Sequence, residues 1–169
     1  MVDEVAQAQP DRTGQTIIAL TGDDDEYRAV RKQAMDSAAK HGHSLILYDW
    51  DAPTFLGSPL PTWWSGEGSE ELFSGRLDQT QLRAAGRAII ADQVAEAQAL
   101  GIEAGGWLPA EHGPGALAAY ALEQGASTIF VSSALQDVGG LDGLLHGTDK
   151  AAALDRATPA CTVVVVDRR

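Results

Sequence analysis

Short apolar runs that alternate with helical patterns constrain the fold of this chain more than any other feature of its sequence. These runs lie at 16–20, 44–50, 128–131 and 162–166. A weaker run at 102–108 is interrupted by Gly105 and Gly106, which indicates a strand near an edge of the sheet. The near-continuous apolar character of a run such as Ser44 to Trp50 indicates a strand buried on both faces, as in a parallel sheet. With a helix between successive strands and right-handed crossovers, the pattern predicts an α/β fold: a five-stranded parallel sheet with helices on both faces.

Two helices have clear signals in the sequence. The first is predicted to be capped by Asp23 or Asp24 and to end at Gly42. Its residues at helical spacing are Tyr27, Val30, Ala34 and Ala38, which we expect to pack on the sheet. The second is predicted as one continuous helix over Gln79 to Leu100, with a single apolar stripe. That stripe comprises Leu82, Ala85, Ile89, Ile90, Val94, Ala97 and Leu100.

Two further helices are indicated more weakly. Pro114 to Gln124 reads as a short helix that Gly125 ends. A last helix is predicted from a cap at Thr148 to Pro159. Both would connect strands of the same sheet.

The length and the net charge of the chain limit the class of protein. The 169 residues suit one domain at 16–169, after a flexible, solvated tail over 1–15. The net charge of −12 would repel a nucleic-acid backbone and an anionic membrane, so neither is expected as a partner. The single cysteine, Cys161, cannot form an internal disulfide, and a buried, inert thiol in a cytoplasmic protein is expected.

A long irregular segment follows the second strand. Residues 51–78 contain several prolines and glycines together with the pair Trp63-Trp64. Such a segment is typical of a lid, a binding loop or an interface with another protein. The alternative, which the sequence leaves equally open, is that the tryptophans cover an exposed edge of the core.

The stretch Ser127 to Thr148 is the strongest candidate for a binding site. A buried strand ends at Ser132 and Ser133, a glycine-containing loop follows, and Gly147-Thr148 begins a helical pattern. Loops at the carboxyl ends of parallel strands are where α/β folds bind ligands, and free backbone N–H groups of a helix suit an anion. The stretch matches neither a dinucleotide fingerprint nor a phosphate-binding P-loop. No Gly-x-Ser-x-Gly elbow surrounds the serines, so close packing explains them better than a nucleophilic role.

The chain resembles the universal stress protein family in three places. Leu20-Thr21-Gly22-Asp23 stands at the family's Val-Asp-Gly-Ser-like turn, and the loop ending in Gly147-Thr148 stands at its G-x2-G-x9-G-[ST] pattern. Cys161 to Val166 corresponds to its final strand, often written Cys-Pro-Val-Leu-Val-Val. The resemblance implies a Rossmann-like fold, similar to the adenine-nucleotide α-hydrolases, and a cytoplasmic stress-response protein. It also implies a nucleotide site at Thr21, Gly22, Asp23, Ser132, Ser133, Gly147 and Thr148.

Departures from the family pattern indicate that this site is eroded. Thr21 replaces the aspartate that reads the nucleoside in ATP-binding members. The loop also lacks the first two glycines of the family pattern. When the alignment is counted back from Gly147, Asp137 stands at the second of these positions. An unpaired carboxylate about 4 Å from a phosphate costs on the order of 4 kcal/mol at an effective dielectric near 20. We therefore expect a regulatory protein with no catalytic residue, metal or cofactor. The alternative is an altered site that takes ATP, AMP or cyclic AMP with Mg²⁺.

A second alternative is a small hydrolase or transferase that uses the same crevice. His112 or His146 would then serve as the base. His41 and His43 flank Gly42 at a helix end, where interaction with the helix dipole explains them better than metal binding.

The resemblance places the final strand at an edge of the sheet, which predicts self-association. An apolar β-branched edge strand tends to pair with another strand, and family members commonly form dimers in this way. A homodimer is therefore expected through Thr162, Val163, Val164, Val165 and Val166, with Trp63 and Trp64 as a second contact surface for this or another protein.

Overall fold

The computed structural model describes residues 15–22, 25–49, 75–108, 114–133 and 161–167. The strands are β1 (Thr16–Thr21), β2 (Ser44–Asp49), β3 (Ala104–Trp107), β4 (Ala126–Ser132) and β5 (Thr162–Val166). The helices are α1 (Asp25–His41), α2 (Gln79–Ala84), α3 (Ala88–Ala99) and α4 (Pro114–Glu123). Several predicted features lie outside the described residues: positions 1–14 of the tail predicted over 1–15, the caps Asp23 and Asp24, the Trp63-Trp64 pair and the last helix.

The five strands form one parallel sheet in the order β3-β2-β1-β4-β5. This confirms the predicted fold class and places β3 at an edge, as its glycines indicated. Leu77 pairs with Gly106 in a single antiparallel bridge at that edge. The end of the 51–78 segment therefore lies along β3.

Alternate residues of each strand pack on opposite faces of the sheet. Ile17 and Ala19 of β1 join a core that includes apolar residues of α1 and α3. Ile18 and Leu20 join a second core that includes α4. The predicted sheet-facing residues of α1 are all buried, since Tyr27, Val30, Ala34 and Ala38 lose nearly all their solvent exposure. Both faces of the sheet thus carry helices, as expected for strands buried on both sides.

The prediction of one helix over Gln79 to Leu100 is wrong. The chain breaks between α2 and α3, where Gly86 has φ of 75°, a left-handed conformation that glycine adopts without a steric cost. A capping box at Asp78 starts α2, with Gln81 as its partner. The predicted stripe is not continuous, since Ile89 and Leu100 are 50% and 61% exposed and Leu100 lies beyond the end of α3.

Candidate functional site

The carboxyl end of β1 carries a buried polar cluster. Thr21, the last residue of the strand, is 0% exposed and lies on the face covered by α1 and α3. Its Oγ1 donates a hydrogen bond to Oε1 of Gln93 in α3, at 2.8 Å. Nη1 of Arg31 in α1 donates to Thr21 Oγ1 at 3.2 Å and to the carbonyl oxygen of Gly22 at 3.4 Å. Nε2 of Gln93 also donates to that carbonyl, at 3.3 Å.

Arg31 supplies a half-buried positive charge at this end of the sheet. Burial lowers the pKa of its guanidinium, the carboxylate of Glu96 opposes that shift, and Arg28 adds to it. A guanidinium nevertheless stays protonated in proteins. The cluster therefore holds a permanent cation against the end of β1.

Gly22 is required by the close approach of α1. A Cβ on this residue would lie 2.7 Å from Cδ2 of the Tyr27 ring, closer than real side chains come. Tyr27 is itself buried, so the ring has little room to move. The turn after β1 thus needs glycine for packing, whether or not a ligand binds there.

The end of β4 lies beside the end of β1. Ala19 pairs with Phe130, so Thr21 and Ser132 occupy the next positions on the same face of neighbouring strands. Ser132 is fully buried and Ser133 is partly exposed. The structure thus brings Thr21, Gly22, Ser132 and Ser133 to one edge of the sheet, whereas Asp23, Gly147 and Thr148 lie outside the described residues.

A second arginine lies near the carboxyl edge. Arg87 precedes α3, and burial lowers the pKa of its guanidinium while the carboxylate of Asp49, at the end of β2, opposes the shift. Sequence analysis did not identify Arg31, Gln93 or Arg87 as site residues. Their partners are distant in sequence, and no short motif marks them.

The other candidate residues have ordinary structural roles where they are described. The carbonyl oxygen of Ser37 lies 3.0 Å from His41 Nδ1, in keeping with the predicted role at a helix end. Cys161 is partly buried, less than expected, and its thiol donates to the carbonyl oxygen of Ala126 at 2.8 Å. His112 and His146 lie outside the described residues. Within the described ranges, no group of three or more His, Cys, Asp or Glu side chains is placed to hold a metal ion.

No family model matches the sequence, and no curated protein matches it. Solved structures do match. A universal stress protein from Archaeoglobus fulgidus aligns with a TM-score of 0.53 over 90% of this chain and 92% of its own, at 14% identity.

The fold is that of the universal stress proteins. UspA from Lactobacillus plantarum aligns equally well, with a TM-score of 0.53 at 14% identity over 90% of this chain and 97% of its own. A universal stress protein solved in complex with cAMP aligns with a TM-score of 0.50 at 22% identity, over 90% of this chain and 95% of its own. At these identities the likeness establishes the architecture, and it agrees with the resemblance carried by the sequence motifs.

Among the described helices, none is long and apolar enough to cross a membrane.

Proposed function

We propose that this chain is a universal-stress-protein-like regulatory protein of the stress response, cytoplasmic and dimeric, with an eroded nucleotide site and no catalytic activity. One observation carries the loss of the site. Thr21, at the position where ATP-binding members have a nucleoside-reading aspartate, is fully buried and already bonded to Gln93 and Arg31.

Most hydrogen-bonding positions of the Thr21 hydroxyl are already used within the protein. A threonine hydroxyl has one donor and two acceptor positions. The donor goes to Gln93, one acceptor position takes an N–H of Arg31, and the residue has no exposed surface. A nucleoside at this position would have to displace Gln93 or Arg31, and each neutral hydrogen bond lost without replacement costs about 1 kcal/mol.

The charges of the turn after β1 act in the same direction. Asp23, Asp24 and Asp25 follow Gly22 in the sequence, and the whole chain carries a net charge of −12. Unless a cation compensates, these carboxylates oppose a triphosphate. Arg31 is the nearest described cation to the end of β1, but it already donates to Thr21 and Gly22.

The second candidate function is nucleotide binding in an altered site, with ATP, AMP or cyclic AMP and Mg²⁺ as ligands. Two observations favour it. The half-buried Arg31 has N–H groups besides those of Nη1, the atom that bonds Thr21 and Gly22, and guanidinium groups bind phosphate well. A protein of the same fold has been solved in complex with cAMP. The hydrolase or transferase alternative has no such observation in its favour.

Calorimetry separates the two candidates. ATP, ADP, AMP and cyclic AMP would be titrated into the purified chain with and without Mg²⁺, and into the variants Arg31→Gln and Lys32→Gln. Lys32 is the matched control because it is an exposed cation on the same helix. An eroded site predicts no binding up to about millimolar ligand. Micromolar binding that Arg31→Gln weakens and Lys32→Gln leaves intact would instead establish the altered site.

The homodimer is proposed through β5. This strand is an edge of the sheet, and no strand in the described part of the chain pairs with its outer side. Val165 on this edge is an exposed large apolar residue. An unpaired apolar edge is a template for a second copy, which would extend the sheet across a two-fold axis.

Mass measurement by light scattering tests the dimer. Val165→Lys should reduce the mass to that of one chain, because two lysines would be buried near each other across the two-fold axis. Ile89→Lys is the matched control, since Ile89 is also an exposed apolar residue but lies on α3. A monomeric parent protein, or equal dissociation by both variants, would refute the interface. The contact predicted for Trp63 and Trp64 remains a prediction.

A further inference from the structure

A cavity of about 430 Å³ opens at the amino ends of the strands, on the opposite edge of the sheet from Thr21 and Ser132. Its walls come from the starts of β1 and β2, the end of α1, Arg76, and the turn between α3 and β3. The volume falls in the range of small-molecule sites, roughly 300 to 1,000 Å³. Of the described nucleotide-site residues, Thr21, Gly22, Ser132 and Ser133, none lines this cavity.

Two glycine turns create the space. Gly42 ends α1 with φ of 66°, and Gly101 follows α3 with φ of 77°. The backbone N–H of His43 then bonds the carbonyl of Ala38 at 3.0 Å, and that of Ile102 bonds the carbonyl of Ala97 at 3.2 Å. Because both helices end here, their negative dipole ends lie at the cavity wall.

The guanidinium of Arg76, the carboxylate of Glu103 and the imidazole of His43 line the cavity. The Arg76 side chain is 28% exposed, and its Nη2 donates to Thr16 Oγ1 at 3.0 Å. That hydroxyl lies 3.2 Å from the hydroxyl of Ser44, which also lines the cavity. Nη1 of Arg76 contacts Oε1 of Glu103 at 3.4 Å, but the Glu103 side chain is 84% exposed. Arg76 is therefore held by buried structure, whereas Glu103 can turn without losing packing.

An uncovered apolar side chain lies in the same wall. Leu100 lines the cavity and is one of the most exposed large apolar residues among those described. Ile102 and Ala38 add buried apolar surface beside it. A ligand with an apolar part would remove Leu100 from water.

We propose that this cavity binds a small zwitterion of the α-amino acid class with an apolar side chain. Its carboxylate would bind the guanidinium of Arg76, and its ammonium group would bind Glu103 near the two helix ends. An anion alone would face Glu103 and two negative helix ends, and a cation alone would face Arg76, so a ligand with both charges suits the site best. Its side chain would cover Leu100.

NMR titration of the labelled full chain with leucine tests the proposal. We expect amide shifts at Gly42, Ser44, Gly101 and Glu103 that saturate below about 10 mM. Isocaproate lacks the ammonium group of leucine and isoamylamine lacks its carboxylate, and each should bind at least about tenfold more weakly. Equal affinity for either analogue, no shifts at all, or shifts confined to Thr21 and Gly22 would each overturn the proposal.

Three variants separate the two charges. Glu103→Gln should weaken leucine about tenfold and leave isocaproate unaffected or tighter, whereas Arg76→Gln should weaken both ligands. Arg76→Gln removes the bond to Thr16 and could impair folding. Glu103→Gln then still decides the test, because Glu103 is exposed and its replacement leaves the packing intact. Glu123→Gln is the control, as an exposed carboxylate on α4. An equal effect of Glu103→Gln and Glu123→Gln would refute the assigned contact.

Discussion

Replacement of Thr21 by valine isolates the buried hydrogen bond at the end of β1. Valine keeps the shape of threonine but removes the hydroxyl, so Oε1 of Gln93 loses its donor inside the protein. Arg31 is less affected, because it is half-buried and still donates to the carbonyl oxygen of Gly22. The orphaned amide oxygen therefore dominates the cost, since Gln93 is buried.

The size of the effect follows from the burial of Gln93. A buried polar group left without a partner costs about 1 to 3 kcal/mol, and we expect about 2 kcal/mol here. With a urea m-value of about 2 kcal/mol/M, the unfolding midpoint of Thr21→Val should fall by about 1 M without a change in m. Thr80→Val, at an exposed position of α2, is the control and should move the midpoint little.

A double-mutant cycle makes the test stricter. Replacing both partners by apolar residues of similar size removes the unsatisfied groups. The loss of unfolding free energy in the double variant Thr21→Val, Gln93→Leu should therefore be about 1 to 2 kcal/mol smaller than the sum of the losses in the two single variants. Thr21→Val within about 0.5 kcal/mol of the parent, or strict additivity, would show that the buried pair does not form as described.

Three further predictions concern packing and ionisation. Gly106→Ala should destabilise the fold by about 1 to 3 kcal/mol in the same urea unfolding assay, because its Cβ would lie 2.8 Å from Cδ1 of the buried Leu82. Gly115→Ala is the control: its Cβ would meet no atom within 4 Å, so this variant should be neutral or stabilising. Burial raises the pKa of the Cys161 thiol, so less thiolate is present at a given pH. Iodoacetamide at pH about 8 should therefore alkylate Cys161 more slowly than it alkylates glutathione. An equal rate would contradict the described burial. Burial also raises the pKa of Tyr120 in the folded protein, so its contribution to stability is complete below the unfolded value of about 10 and is lost as the pH rises above it. Tyr120→Phe should consequently unfold at higher pH than the parent in an alkaline titration followed by circular dichroism, and an unchanged midpoint would contradict this.

The order of the elements could be predicted from sequence because every strand except the glycine-containing β3 is built on a continuous apolar or β-branched run. The sequence of β2, for example, places apolar residues on both faces, and only a sheet covered on both sides buries them all. The break at Gly86 was missed because the apolar spacing on its two sides looks helical, and a single glycine is often tolerated within a helix.

The candidate site was predictable only in part. The ends of β1 and β4 follow from the strand pattern, so Thr21, Gly22, Ser132 and Ser133 could be placed at one edge. The bond from Thr21 to Gln93 depends on which face of α3 meets the sheet, and that face depends on the break after α2. The cavity at the amino ends of the strands could not be predicted from the sequence for a related reason. Arg76 and Glu103 come together because Leu77 pairs with β3.

The central position of β1 has a consequence for how the chain reaches its native state. β1 pairs on one side with β2, where Thr16 meets Ser44, and on the other with β4, where Thr16 meets Ala126. The first pairing closes a short loop around α1, whereas the second must wait for more than about a hundred residues of intervening chain. A growing polypeptide on the ribosome can therefore assemble β1, α1 and β2 early, yet one side of β1 stays open until β4 has been synthesised. During that interval the apolar edge of β1 is open to pairing with other chains, so protecting it reduces aggregation.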